Sequence, residues 1–292
     1  MIRRPPRSTL SSSSAASDVY KRQIIGGGSA GLAALKQLST LGKQAVLLEA
    51  GEKVGVKNIS GGILYSKKPN KGRVYNVEDI YGQSFVSEAP LQRKITQYLL
   101  HATSKDKVFS MDLTAAHEYQ SNFGYSVLMN ELNAWFAQSA DESAQKCGGG
   151  IVPGVHVNDI SYDNEKERTI IQTDELDEFQ VKAVIAADGV NSEVAQITNA
   201  RPKFSATQLY QGVKAVVKLP ENVINDTFAI GADSGAAHLF AGDITLNHLG
   251  GGFLYTNRDT LSVGAVYHFD SLLDNPTAVS YTHLTLPTKR IV

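Results

Sequence analysis

Cysteine is almost missing from this sequence: Cys147 stands alone in 292 residues. That excludes an intrachain disulfide and any thiolate metal or iron–sulfur set within the chain. Long apolar runs are missing as well. None approaches the ~20 residues a membrane-spanning helix needs, so a transmembrane helix is excluded while shallow monotopic attachment stays open. Charge of one sign is also lacking, because 28 Lys+Arg against 29 Asp+Glu leave a formal net charge of −1. There is thus no electrostatic case for a nucleic-acid partner. No internal repeat of about 20 to 50 residues is visible. Nor is there a nucleophile–His–acid arrangement or a compelling acid–base pair. His101, His117, His156, His238, His248 and His268 are scattered and read as structural or surface residues, and the single tryptophan, Trp135, reads as core.

What is there begins at Ile24-Ile25-Gly26-Gly27-Gly28-Ser29-Ala30-Gly31-Leu32. Gly26, Gly28 and Gly31 form G-x-G-x-x-G, in which the first glycine permits a tight turn, the second admits a pyrophosphate, and the third lets helix pack on strand. In a chain with 25 glycines the motif alone is a weak signal. Its context strengthens it. Leu32, Leu35, Leu38 and Leu41 recur at helical spacing, Gly42 suits a C-cap, and Ala45 to Leu48 form a short apolar strand. Glu49 then stands 18 residues past Gly31, followed by Ala50, where a carboxylate accepts hydrogen bonds from a ribose. A glutamate here, rather than an arginine nearby, argues against a 2′-phosphorylated dinucleotide. The pattern predicts a phosphate cradle at a helix N-terminus.

Further along, Lys57, Asn58 and Ser60 offer donors beside Gly61-Gly62, where missing side chains would let a flat ring lie on backbone. A turn-rich surface loop is the plainer reading of that stretch. Periodicity is weak from Val74 to Tyr125, with strands expected over 88–95 and 108–113. Residues 129–144 read as an amphipathic helix. Strands are expected over 151–160, 169–173 and 180–187, with a turn at Asp163-Asn164. The last of these is apolar like a buried parallel strand and runs into Asp188-Gly189. Asn191 or Ser192 suits a helix N-cap. Strands follow at 211–220 and 261–266, and Gly250-Gly251-Gly252 reads as a tight bend entering an apolar strand. The expected fold class is α/β. A Rossmann-like dinucleotide-binding domain (24–73 with 125–200) interleaves with a strand-rich α+β domain (74–124 with 201–278). Residues 1–23 and 279–292 resemble translated sequencing-adapter read-through, so the expectation is a C-terminally truncated fragment spanning Ile24 to Ala278.

Four islands, Gly26 to Gly31 with Glu49, Val56 to Gly62, Ala187 to Ser192 and Gly250 to Asn257, together resemble FixC-like flavoproteins. These are relatives of electron-transfer flavoprotein-quinone oxidoreductase and, more distantly, of geranylgeranyl reductases. The resemblance implies FAD as cofactor and no catalytic side chain, the flavin carrying the chemistry. Residue by residue it implies that Gly26, Gly28, Ser29, Ala30 and Gly31 hold the pyrophosphate and Glu49 with Ala50 the adenosine ribose. Lys57, Asn58, Ser60, Gly61 and Gly62 would lie beside the isoalloxazine, Val157 would offer backbone to adenine, and Asp188 would reach toward the pyrophosphate. Gly250 and Gly251 match a glycine pair that approaches a quinone. No metal is implied. The implied partners are an electron-transfer flavoprotein-like donor and a quinone or ferredoxin-like acceptor, in a cytoplasmic protein with peripheral membrane contact left open. A prenyl reductase of geranylgeranyl type and an inactive or FAD-binding-only fragment are the alternatives. The chain departs from the family by carrying Met129 where an arginine is usual, and by lacking the Gly-Asp-Ala-Ala-Gly flavin motif.

Overall fold

The computed structural model describes residues 22–59, 61–65, 67–70, 73–76, 81–82, 84–114, 124–246 and 248–274. In chain order the elements begin with β1 (Gln23–Ile25), α1 (Ser29–Thr40), β2 (Val46–Glu49), β3 (Gly61–Leu64), β4 (Lys67–Asn70) and β5 (Arg73–Asn76). Next come α2 (Phe85–Glu88), β6 (Lys94–Thr103), β7 (Val108–Asp112), β8 (Tyr125–Leu128) and α3 (Met129–Gln145). They continue with β9 (Gly150–Pro153), β10 (Val157–Asp163), β11 (Arg168–Thr173), β12 (Phe179–Val181), β13 (Val184–Ala186) and α4 (Glu193–Ile197). The last are β14 (Tyr210–Lys218), α5 (Glu221–Phe228), β15 (Ser234–Gly242), β16 (Gly250–Thr256), β17 (Thr260–His268) and α6 (Phe269–Asp274).

Two compact units result, one from the chain up to Lys53 with Ser139–Ala200, the other from Val54–Gln138 with the chain from Arg201 onward. The first holds a four-stranded parallel sheet in the order β13-β1-β2-β9 and an antiparallel layer β10-β11-β12. Side chains alternate along strands, so Ile24 and Leu47 face one way and Ile25 and Leu48 the other, and all four are buried. Ile25 and Leu48 join Val155, Val157, Ile171, Val181 and Val194 in one cluster. Leu32 and Leu35 of α1 are also fully buried; burial of each such side chain contributes about 1.5–3 kcal/mol. The α1 helix ends because Gly42 takes φ +65°, its N–H bonding Ser39 O while Lys43 N bonds Leu38 O. Leu41 sits at that cap and is exposed rather than part of the apolar stripe.

The second unit is an eight-stranded sheet, β14-β17-β16-β15-β6-β8-β3 with β7 on β6, whose β6–β15 pairing is parallel. Hydrogen bonding explains the difference from the expected domain limits: β3 pairs with β8 and β8 with β6, so residues 61–64 and 125–128 lie in this sheet. Tyr81, Phe85, Trp135 and Phe136 form an aromatic cluster, with Tyr81–Phe136 centroids 4.6 Å apart and Phe85–Trp135 6.0 Å. Trp135 is thus a packing residue.

Several expected strands differ, each for a local reason. The stretch 88–95 is not one strand: α2 ends at Glu88, Pro90 supplies no N–H, and β6 starts at Lys94. The stretch 151–160 is cut at Gly154, where φ is +74°. The stretch 180–187 divides between two sheets, and β13 is an edge strand, half-buried rather than covered on both sides. The Asp163 turn forms as expected, its Oδ1 accepting from Glu165 N and Lys166 N. All three glycines of 250–252 lie inside β16 and not in a bend.

One buried side chain ties the second unit together. Arg93, 2% exposed, donates from Nε to Asn257 O at 2.6 Å, from Nη1 to Asn225 Oδ1 at 2.7 Å and Ser234 O at 3.0 Å, and from Nη2 to Arg258 O at 3.0 Å. Burial pushes its pKa down, opposed by Glu221 and Asp233. Because Arg93→Ala removes a buried charged donor from the second unit's core and leaves its buried partner Asn257 O and the partly buried Asn225 and Ser234 acceptors unpaired, it should cost about 3–5 kcal/mol, read by urea unfolding followed by circular dichroism.

Candidate functional site

In the first unit the carboxyl ends of β1, β2 and β13 lie on one edge of a parallel sheet. There the structure brings together Gly26 to Gly31, Glu49 and Asp188. Each glycine of the motif answers to a different constraint. Gly26 has φ +104°, and a Cβ on it would stand 2.3 Å from Ala187 O and 2.9 Å from Asp188 Cα. A Cβ on Gly31 would stand 1.9 Å from Gly26 O, so helix and strand approach too closely for any side chain. A Cβ on Gly28 would meet nothing within 4 Å. Protein contacts therefore explain the first and third glycines and do not by themselves require the middle one.

Gly28 is also the N-cap of α1 and offers no side-chain cap; the first intrahelical bond is Leu32 N to Gly28 O at 3.0 Å. The amides of the first turn, at Ala30 and Gly31, lie at the positive end of a 12-residue helix. Glu49 is held by two backbone donors, Gly27 N to Oε2 and Gly51 N to Oε1, both at 2.7 Å. Those bonds fix the carboxylate beside the glycine loop and leave each oxygen a further lone pair. Ala50, between Glu49 and Gly51, is exposed.

Asp188 follows β13, and its Oδ2 accepts from Val194 N at 2.9 Å, capping α4. Ser192, at the nominal N-cap, has φ +47° and turns its hydroxyl back to Gly189 O at 2.8 Å. The capping role anticipated for Asn191 or Ser192 thus falls to Asp188, six residues before the amide it binds. Val157 opens β10 opposite Thr173, and its side chain is buried in the cluster with Ile25 and Leu48.

In the second unit, Gly55 has φ +91° and a Cβ there would stand 2.6 Å from Asn130 O, so the turn preceding Lys57 packs on α3. Lys57 is exposed. Asn58 Oδ1 accepts from the buried Asn133 Nδ2 at 3.0 Å, which fixes the amide's orientation. Ser60 lies outside the described residues. Gly61 and Gly62 open β3, paired with Leu128 and Val127. Gly250 and Gly251 pair within the sheet, where a Cβ on Gly250 would stand 2.0 Å from Val266 O and one on Gly251 2.8 Å from Phe240 O. Backbone crowding by itself accounts for both.

Sequence reasoning missed a tyrosine surface. In-register pairing puts Tyr98, Ala237, Tyr255 and Ser262 in one row across four strands, on one face. Ile63, Tyr98 and Tyr255 pack together there around Ile95 and Ala237, and Phe253 stacks on Tyr255 with centroids 5.1 Å apart. Burial raises the pKa of the Tyr98 phenol, as does its hydrogen bond with Tyr65. Tyr255 is pushed up to about 12 by burial and by Tyr65. Both phenols stay protonated at neutral pH. Tyr98 and Tyr255 lie on strands far apart in sequence, and Tyr65 just after β3, so only the register brings them together.

The glycine turn, the acid after the second strand and the parallel sheet define a Rossmann-type α/β fold carrying a second, strand-rich unit. Solved structures share it. A geranylgeranyl bacteriochlorophyll reductase-like protein from Thermoplasma acidophilum matches with a TM-score of 0.61 at 14% identity, over 92% of this chain and 62% of that one. CtdE in complex with FAD matches with a TM-score of 0.57 at 18% identity, over 86% and 60%. In sequence, the chain is 33% identical over 264 residues to protein FixC of Escherichia coli K12, covering 90% of this chain and 58% of FixC. It is 32% identical over 250 residues to the same organism's probable electron transfer flavoprotein-quinone oxidoreductase YdiS, covering 85% and 55%. The resemblance carried by the four islands therefore extends along most of the chain, which spans under two thirds of the length of these relatives. No family model matches.

The three motif glycines should separate by substitution. Gly26→Ala and Gly31→Ala should each destabilise the first unit by about 1–3 kcal/mol or more through strain and overlap. Gly28→Ser should leave thermal stability unchanged or slightly raised, since serine is a favoured N-cap. Differential scanning fluorimetry of the three variants checks the order.

Proposed function

We propose that this chain is the nucleotide-binding and acceptor-facing part of an FAD-dependent oxidoreductase, passing electrons from an electron-transfer flavoprotein-type donor to a quinone or ferredoxin-like acceptor. The observation that carries the reading is Gly28, the motif glycine no protein contact requires, set at a helix N-terminus beside a clamped carboxylate. The FAD-bound state of CtdE and the names of the sequence relatives support FAD over a nicotinamide nucleotide.

In this reading the α1 amides and the bare Gly28 hold the pyrophosphate, and Glu49 accepts from the ribose hydroxyls with no reorganisation, because Gly27 and Gly51 already orient it. Asp188 positions the β13–α4 loop against Gly26. Lys57, Asn58, Gly61 and Gly62 supply donors and bare backbone for the flavin ring, with Asn133 holding Asn58. Bound FAD would supply the one- and two-electron chemistry that no side chain here offers. On the acceptor side, the Tyr255 phenol can donate to a carbonyl oxygen of a quinone, beside Tyr98, which is bonded to Tyr65. That donor favours a quinone over the unsubstituted double bonds of a prenyl chain.

Flavin fluorescence quenching on titration of FAD into the purified chain tests the proposal. Micromolar binding is expected, weakened at least tenfold (about 1.4 kcal/mol) by Gly28→Ser, the variant expected to keep its thermal stability. Protein that remains colourless and leaves FAD fluorescence unchanged overturns it.

A further inference from the structure

The second unit contains two histidines with no part in the site described above. His101 on β6 and His238 on β15 share a hydrogen bond, Nε2···Nδ1 2.8 Å, with their rings inclined by 8°. His101 Nδ1 bonds the Ser110 hydroxyl of β7 at 2.8 Å. At the other end of the chain of bonds, His238 Nε2 is buried and has no hydrogen-bond partner among the described residues. Phe240 lies against the His101 ring with centroids 4.7 Å apart, and Phe228 of α5 meets the His238 ring edge-on at 5.3 Å. The pair bridges β6 and β15, the parallel pairing on which the eight-stranded sheet turns.

Counting protons shows what this arrangement can hold. A bond between two imidazole nitrogens needs one proton, given by one ring and accepted by the lone pair of the other. The neutral pair carries two N–H groups and satisfies that need in either tautomeric order. A third proton is accommodated on His101, where Nδ1–H donates to Ser110 Oγ and Nε2–H donates to a bare His238 Nδ1, with the His238 proton then on its buried Nε2. A fourth proton, on His238, places N–H against N–H and breaks the link, beside a buried Nε2–H that finds no acceptor among the described residues.

We propose that His101 and His238 form a titratable latch across the β6–β15 junction, which accepts one proton and is opened by the second. Among the described residues, its surroundings do not supply a counter-charge. No carboxylate among the described residues bonds either ring. On β7, Asp112 has its Oδ1 committed to Thr114 N. On α5, Glu221 lies 3.8 Å from Arg93, and Asp226 is exposed. Lys105, Asp106 and Lys107 occupy the exposed β6–β7 turn, Asp243 follows β15, and Leu254 of β16 stands opposite His238. Consistent with this, burial first and His101 second lower the pKa of His238 below its ordinary value.

The sign follows. The unfolded chain protonates His238 near pH ~6.5 while the folded chain resists. Stability contributed by the neutral ring is therefore present above that pH and lost as the pH falls toward the depressed folded value, by up to about tenfold in the folding constant per pH unit. The test compares the full chain with His238→Gln, which keeps a hydrogen-bonding side chain and cannot titrate. Amide hydrogen exchange, corrected for its intrinsic pH dependence, should show residues 99–103 and 236–240 losing protection between pH 7.5 and 5 in the wild type and not in the variant. Equal loss in both overturns the proposal. If His238→Gln fails to fold, ¹⁵N-histidine NMR of the wild-type chain decides. His238 remaining neutral after His101 has charged supports the latch, and His238 charging at pH ~6.5 with the junction still protected refutes it.

Discussion

The second unit depends on a single buried cation. Arg93 precedes β6 and spends its guanidinium on carbonyls and an amide from three other places: the end of α5, the entry to β15 and the β16–β17 turn. Those segments are more than a hundred residues downstream. An arginine suits the task because its fork is planar, always charged and carries five donors, so one side chain satisfies several backbone acceptors that sheet pairing leaves over. Burying such a charge is costly unless every donor is used. The sheet thereby acquires a fixed register between β6 and β15, and the row of Tyr98, Ala237, Tyr255 and Ser262 follows from that register.

The first unit was largely legible from local pattern. Glycine spacing, the leucine stripe of α1, Gly42 and Glu49 are signals contained within about thirty residues, and local sterics set them. What escaped was the identity of groups that act through backbone. Nothing in the composition says that Gly27 and Gly51 donate to Glu49, or that Asp188 rather than Ser192 caps α4, since both depend on loops returning to one sheet edge. The second unit was much less legible. Its strands are half-buried, its aromatic residues lack a clear period, and the contacts that matter join β6 to β15, whose partner sequence gives no local hint. The glycine triplet at 250–252 shows the same limit: glycine marks close backbone approach as readily as a bend, and only neighbouring strands decide which.

The comparisons and the geometry bear on different questions. Solved structures under 20% identical speak for the fold alone, while the FixC relatives speak for ancestry along the chain. Neither identifies a residue's work. The geometry does that unevenly: it separates Gly28 from Gly26 and Gly31, gives Asp188 a structural task, and finds crowded backbone reason enough for Gly250 and Gly251. A glycine that packing requires and one that packing leaves bare look alike in a motif. They differ in what a methyl group would strike.

The chain alternates between its two units, and that alternation bears on its synthesis. β1 and β2 leave the ribosome long before β13 and β9, their outer partners, and β6 long before β15. Neither sheet can close on contiguous chain. Such non-local pairings fold slowly and leave half-made sheets with bare edges during elongation. A nascent chain halted between Thr103 and Ser234 would present the β15 edge of β6, with Arg93 beside it, to whatever other polypeptide is nearby.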